Sequence, residues 1–373
     1  MNMIPAEQLA QPHLLKQPVY VTGKPIAYTA REFGLDPAKI DKLASNENPY
    51  GPSPKGLAAV RAALRTVNLY PDGGCYDLSH KIADFRKVDV NQIVLGNGSN
   101  ELLDIVAHVF LGPGDEAIMG EHGFAVYKLA SLAQNAKPVV VPMPAPAYNY
   151  DLAAMKAAIT PRTRVMFLAN PNNPTGTDIS AQTLSDFAKS LPENIILVMD
   201  EAYTEFLGDA AQDFLPLIRE GRPVICLRTF SKIYGLAGLR CGYAITRPDI
   251  AGLLQRVREP FNVNSLAQVA ATAALDDQDY VNKVREKNAK GLVQLSKGFE
   301  KLGLPYIPSH ANFIAVAGVP QPMKAFEFLQ KLGTIVRPQP AMGDVLRVTV
   351  GTTAQNARFL KNLAAYLDSL KNA

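Results

Sequence analysis

The stretch Pro223–Arg240, "PVICLRTFSKIYGLAGLR", decides how this chain is read. An apolar run ends in a cluster of Thr, Ser, Lys, Tyr and Gly, with an arginine beyond the glycine-rich turn. A lysine placed directly after a core strand is either a solvated surface charge or a positioned amine with chemistry to do. The same grammar recurs upstream. "QIVL" leads into "GNGSN" and then "ELLDIVAHVF", "RVMFLA" into "NPNNPTG", and "NIILVM" into "DEAYTEF". Short β-rich runs alternating with helix-period segments predict an α/β fold, a mostly parallel, doubly wound sheet with both faces covered. Ligands of such sheets sit at the carboxyl ends of the strands. The polar clusters all follow apolar runs, so they should gather along one edge.

With 373 residues the chain exceeds one small core. Its first forty-odd residues, rich in Pro, Lys and polar groups, read as an arm with one short helix. After about residue 260 the texture changes. "SLAQVAATAAL" and "YVNKVREKNAKGLVQLSKGFEKLG" read as long helices, followed by short strand candidates in "YIPSHANFIAV", "GTIVRP" and "VLRVTVGT" and by a closing helix. The expected division is an arm at 1–45, a large domain at 46–265 and a smaller α+β domain at 266–373.

Composition, 47% hydrophobic and 19% charged, is that of a soluble globular protein. No apolar run approaches the roughly 18 residues of a membrane span, and the opening residues, with Glu7 and two prolines, do not read as a secretory signal. The net charge of +4 is spread rather than massed into the basic stripe of a nucleic-acid binder. Cys75, Cys226 and Cys241 show no paired spacing, which suits a reduced, cytoplasmic setting. The five histidines never fall at metal-ligand spacing, so no metal site is expected.

The polar clusters carry the chemistry. Glycines before the helix "SNELLDIVAHVF" leave free N–H groups and a positive dipole end suited to a phosphate, with Ser99 or Asn100 as its cap; a plain capped helix is the alternative. "NPNNPTG" is a turn, placed so that Asn173 could aim an amide at a ligand. Asp200, ending an apolar strand, needs a partner: a helix N-terminus or a protonated heterocycle nitrogen. Tyr203 is close enough in sequence to offer a phenol to the same ligand. Lys232 near cationic groups in a dry pocket would lose proton affinity and become nucleophilic. An amine, a carboxylate, a phenol, a carboxamide, a phosphate cradle and an arginine together match what pyridoxal phosphate requires.

"KLASNENPYGPSP", "YPDG", "GNGSNE", "NPNNPTG", "DEAY", "RTFSKIYGLAGLRCGY", "REPFNVN" and "LRVTVGT" follow one another as in histidinol-phosphate aminotransferases. The chain resembles that family, fold-type I pyridoxal-phosphate enzymes of the class-II aminotransferase group, from about Lys42 to Thr352. The resemblance implies that Lys232 is the Schiff-base lysine, that Asp200 keeps the pyridine nitrogen protonated, and that Tyr203 and Asn173 bind the phenolic oxygen. Gly98, Ser99, Asn100, Ser231 and Arg240 would hold the phosphate. Phe124 would stack on the ring, or else be a core phenylalanine. Tyr70 would reach the phosphate of a neighbouring subunit, which makes a homodimer part of the site, with the arm contributing to dimer and small domain. On the substrate side, Arg347 matches the arginine that grips the α-carboxylate. Arg337 matches a second family arginine or is a surface strand charge, and Asn48 and Tyr20 match more loosely.

This sequence departs from the family pattern in Asn100, where many relatives carry Asp, in His122–Gly123, where many carry Pro-Thr, and in a short "LSHKIADFRKVDVNQIVL". "EHGFAVY" resembles a sub-branch tied to aromatic amino acids. The implied activity is transamination of L-histidinol phosphate with 2-oxoglutarate, giving imidazole acetol phosphate and glutamate. An aromatic (Phe/Tyr) aminotransferase is the alternative, followed by a threonine-phosphate decarboxylase. A cofactor-binding regulator would need a DNA-binding module, for which the segment before residue 46 is too short.

Overall fold

The computed structural model describes residues 3–20, 22–211 and 213–371. After the arm and the short helix Ile26–Phe33 the chain makes a two-residue strand, β1 (Asp41–Lys42). It then enters a seven-stranded sheet built from β2 (Ile93–Gly96), β3 (Glu116–Gly120), β4 (Lys137–Val141), β5 (Thr163–Ala169), β6 (Ile196–Asp200), β7 (Val224–Thr229) and β8 (Gly242–Ile245). Their spatial order is β2-β8-β7-β6-β5-β3-β4. The pairs from β7 to β4 are parallel, and β8 alone runs against both neighbours.

The central strands are buried along nearly their whole length, which is why they read as continuous apolar runs. The two-residue period of a strand divides them between two cores. Val165, Phe167 and Ala169 of β5 pack into one, Met166 and Leu168 into the other. This is the expected doubly wound, mostly parallel α/β sheet, and its one antiparallel strand was not foreseen.

A second sheet, order β12-β13-β10-β9, is antiparallel throughout; it comprises β9 (Tyr306–Ile307), β10 (Phe313–Val316), β12 (Arg337–Pro338) and β13 (Leu346–Thr349). Its core takes Leu295 and Phe299 from the helix Gln278–Lys301, and Phe359 and Leu363 from the helix Thr353–Lys371. β1 pairs in parallel with β11 (Thr334–Ile335), and Leu43 enters the same core, so residues 41–43 join the second sheet's unit.

The boundary expected at 265/266 lies elsewhere. Ala267, Ala270, Ala271 and Ala274 of the helix Ser265–Leu275 belong to the core of the large sheet, as do Val281 and Val284 at the start of the next helix. Small side chains let this helix approach the helix Pro54–Ala63 closely; a Cβ on Gly56 would lie 3.1 Å from the Ala270 carbonyl oxygen. The change of core falls within Gln278–Lys301, since Leu295 and Phe299 pack in the second unit. Among the described residues no helix is long and apolar enough to cross a membrane, and no cluster of three or more His, Cys, Asp or Glu could hold a metal ion.

Candidate active site

Strands β2, β3, β5, β6 and β7 all end on one edge of the large sheet. β8 begins there, because Gly96 and Thr229 both lie opposite Gly242. Arg240, just before β8, is thereby delivered to the edge that receives Asp200 and Lys232. A cavity of about 980 Å³ opens between this edge and the second unit. Ser99, Asn100, Phe124, Asn173, Asp200 and Tyr203 line it, as do Ser231, Lys232, Arg240, Arg337, Arg347 and Tyr20.

The anion end is built on the helix Ser99–Phe110. Neither Ser99 nor Asn100 caps it, contrary to expectation: the N-cap is Gly98, at φ 81°, and it offers no side-chain cap. The first N–H groups of the helix therefore keep their capacity for an anion. A Cβ on Gly98 would lie 2.3 Å from the Arg240 guanidinium, so only glycine admits the arginine there. Arg240 Nη1 donates to Ser231 Oγ at 3.3 Å. The first turn of the helix, the Ser231 hydroxyl and the Arg240 guanidinium gather hydrogen-bond donors and positive charge in one corner, an arrangement that can receive an anion.

Asp200 is buried and accepts two hydrogen bonds from neutral donors: Tyr127 Oη at 2.7 Å and the Ala202 N–H at 3.2 Å. Burial pushes its pKa up, against the opposing pull of those bonds and of Lys232. A cation arriving beside it, such as a protonated ring nitrogen, would restore the charge. Lys232 has its pKa lowered to about 8, first by burial and then by the positive charge of Arg347, with Glu47 working the other way. Its Nζ lies 3.5 Å from the Ser45 carbonyl oxygen and 5.7 Å from the centre of the Tyr203 ring. The lysine of the opening stretch is a positioned amine.

Tyr203 is buried, its pKa pushed up to about 12 by burial, and its oxygen accepts from Asn46 Nδ2 at 2.9 Å. Arg347 Nη1 donates to Asn173 Oδ1 at 2.6 Å, which leaves the amide nitrogen of Asn173 to serve a ligand. Nη2 of Arg347 donates to the Ala44 carbonyl oxygen at 2.5 Å, and its buried Nε has no hydrogen-bond partner among the described residues. A buried guanidinium with one donor orphaned fits a carboxylate or phosphate oxygen. Arg337 also lines the cavity, and its charge acts on Arg347.

Three expected residues do not line the cavity: Gly98, which sits at the helix N-cap against Arg240, and Asn48 and Tyr70. Asn48 donates to the Ile233 carbonyl at 2.8 Å and to Tyr280 Oη at 3.0 Å, fastening the Lys232 loop from behind. Tyr70 is 84% exposed and stacks on Phe261, 4.9 Å between ring centres. Two residues were missed, and a third, His122, was named only as a departure from the family pattern. Tyr127 reads as a core position of its helix. Asn46 stands two places before the asparagine that was chosen. His122, buried on the cavity wall, meets Tyr148 edge-on at 5.2 Å.

Residues 38–363 match the family model for aminotransferase class I and II. The chain belongs to that family. It is 49% identical to histidinol-phosphate aminotransferase 2 of Pseudomonas fluorescens over 362 residues, 96% of this chain and 97% of that one. It is 49% identical to the Pseudomonas aeruginosa protein of the same name, over 96% of this chain and 98% of that one. The structure of histidinol-phosphate aminotransferase from Sinorhizobium meliloti in complex with pyridoxal-5'-phosphate superposes with a TM-score of 0.89 at 28% identity, covering 97% of this chain and 98% of that one. The shared architecture is that of the fold-type I aminotransferases.

Proposed function

We propose that this protein is a pyridoxal-phosphate-dependent aminotransferase that exchanges the amino group of L-histidinol phosphate with 2-oxoglutarate, yielding imidazole acetol phosphate and glutamate. One observation carries this reading. An amine of lowered proton affinity, a buried carboxylate and an uncapped helix N-terminus meet at one strand edge, in a chain 49% identical to a histidinol-phosphate aminotransferase. The residues fit the cofactor: Gly98, Ser99, Asn100, Ser231 and Arg240 for its phosphate, Asp200 for the ring nitrogen, Tyr203 and Asn173 for the phenolic oxygen, and Phe124 for a ring face. When bound, pyridoxal phosphate supplies an electron sink for the pair released at the substrate α-carbon.

The chain's own groups do the rest. Lys232 Nζ would hold the cofactor and would take the α-proton of the substrate as general base. Its depressed proton affinity keeps a usable fraction of free amine near neutral pH. Asp200 holds a negative charge in a dry site, where such a charge acts strongly on its partner. Arg347, with Arg337, grips the anionic end of each substrate, the planar fork matching carboxylate or phosphate oxygens in pairs. Asn46, rather than Asn48, lines the cavity, and Tyr20 lines it too.

The reading includes a cytoplasmic homodimer. Tyr70, exposed beside Val67 and Leu69, is available to a second subunit and would complete that subunit's phosphate site. It also includes two domains, the larger extending to the first turns of Gln278–Lys301 and the smaller formed by the remainder together with residues 41–43. The test is kcat/KM for histidinol phosphate and for phenylalanine, each with 2-oxoglutarate. A large advantage for histidinol phosphate is expected. An advantage for phenylalanine would keep the cofactor site and move the enzyme to aromatic substrates. Carbon dioxide release from threonine phosphate without an oxo-acid acceptor would make it a decarboxylase.

A further inference from the structure

Three consecutive residues each touch a different member of the site. The Ala44 carbonyl accepts from Arg347, the Ser45 carbonyl from Lys232, and the Asn46 amide reaches Tyr203. Asn46 is buried and held at φ 55°, in the left-handed region that asparagine tolerates better than most residues. Its amide orientation follows from its neighbours. The Asn46 N–H donates to Thr349 Oγ1 at 2.9 Å, so the hydroxyl accepts there and presents its own proton to Asn46 Oδ1, 3.2 Å away. With Oδ1 committed to Thr349, the other branch of the amide is the donor, and it meets the Tyr203 oxygen at 2.9 Å. Asn312 Nδ2 fixes the Asn46 carbonyl at 3.0 Å, and Phe313 packs edge-on against the Tyr203 ring at 5.2 Å.

We propose that Asn46 is a positioning residue that sets the direction of the proton at Tyr203, committing the phenol to donate into the cavity. A phenol whose oxygen already accepts from Asn46 has its own proton to give, and the cavity is where it faces. The inference rests on the aminotransferase reading, in which the acceptor is the phenolic oxygen of the cofactor. A hydrogen bond donated to the ionised form of that oxygen favours ionisation. Losing it should raise the pH at which the loaded protein changes its absorbance.

The test is Asn46→Asp, which keeps the shape but replaces the donor with an acceptor and invites Tyr203 to turn its proton towards Asp. It is measured alone, with Tyr203→Phe, and in the double variant. The readouts are the Kd for pyridoxal phosphate without substrate and the pH titration of the loaded protein's long-wavelength absorbance. Asn46→Asp should weaken cofactor binding by about tenfold and move the titration upward, whereas in the Tyr203→Phe background it should add less than about twofold. An effect that persists in the double variant would belong to the added charge and overturn the proposal. So would an unchanged Kd and titration in Asn46→Asp. Thr349→Val removes the anchor of the amide without adding charge; it should weaken binding about threefold, with Thr349→Ser restoring it. That pair carries the test if Asn46→Asp does not fold, and equal values for Val and Ser would overturn the idea. Wild-type protein that fails to bind pyridoxal phosphate would overturn the aminotransferase reading itself, an outcome distinct from the others.

Discussion

Tyr127 donates its hydroxyl proton to Asp200 Oδ2 at 2.7 Å, from a ring stacked on Phe167 with 5.0 Å between centres. The bond is the largest of the influences holding the Asp200 pKa down against burial. Tyr127→Phe leaves the stack intact and removes that donor. Cofactor affinity and kcat should each fall, by about tenfold in their product, while stability of the cofactor-free protein changes by no more than about 1–2 kcal/mol. Equilibrium denaturation alongside steady-state kinetics checks the split.

Asp200→Ala separates catalysis from folding more sharply. A buried carboxylate whose proton affinity is raised by burial contributes little to the stability of the cofactor-free protein, since desolvation works against its charge. Transamination should fall by at least about a hundredfold, the scale of losing a preorganised charge in a dry site, with the denaturation midpoint little moved. Comparable losses in activity and stability would favour a helix-capping role for Asp200.

The sequence was most legible where the chain obeys a local rule. Fully buried strands such as Ile196–Asp200 appear as apolar runs, and the residues that follow them are forced to the carboxyl edge. Asp200, Tyr203, Asn173 and Lys232 could therefore be named together. What escaped depends on distant partners. Tyr127 lies on the buried face of Ala125–Ala133, where its period is that of a core residue; only the fold shows its hydroxyl under Asp200. "SNEN" offers two asparagines, and the choice between them is made by Tyr203 and Ile233, far away in sequence. The alanine-rich helix Ser265–Leu275 announced a helix but not which core it joins.

Arg347 holds Asn173 Oδ1 at 2.6 Å while its Nε keeps no protein partner among the described residues. Arg347→Lys retains charge and loses the planar fork. The kcat/KM for glutamate should drop by about tenfold or more, mostly through KM, because the lost contact serves bound substrate rather than the proton transfer. Asn173 is released by the same change, so a smaller decline in cofactor affinity should accompany it.

Lys232 gives a pH dependence with a definite sign. Its folded-state pKa is lowered to about 8 from 10.5, so below pH 8 it is charged in both folded and unfolded chains and costs stability. Between those two values the folded protein sheds the proton first, and stability rises with pH. Lys232→Met cofactor-free protein should therefore be more stable than wild type below pH 8, with the advantage shrinking as pH climbs towards 10.5. Urea denaturation at a series of pH values measures this. Lys232→Ala should also abolish transamination and the absorbance of lysine-bound cofactor; steady-state turnover retained in that variant would remove Lys232 from the role of base.

Tyr70 decides whether the site is shared between subunits. It is 84% exposed, and within its own chain it touches Phe261 rather than the cavity. If it completes a neighbour's phosphate cradle, Tyr70→Ala weakens cofactor binding without unfolding the protein. Complementation makes the test specific. In a homodimer of Lys232→Ala every site lacks its base, and in one of Tyr70→Ala every site lacks its borrowed phenol. A mixed dimer contains one site with Lys232 from one subunit and Tyr70 from the other, and one site lacking both. Unfolding and refolding the two proteins together, with the assay at a cofactor concentration too low to load the Tyr70→Ala protein, should return activity that neither shows alone. Mixtures that stay inactive, with the mixed dimer confirmed by mass, would confine Tyr70 to its own chain.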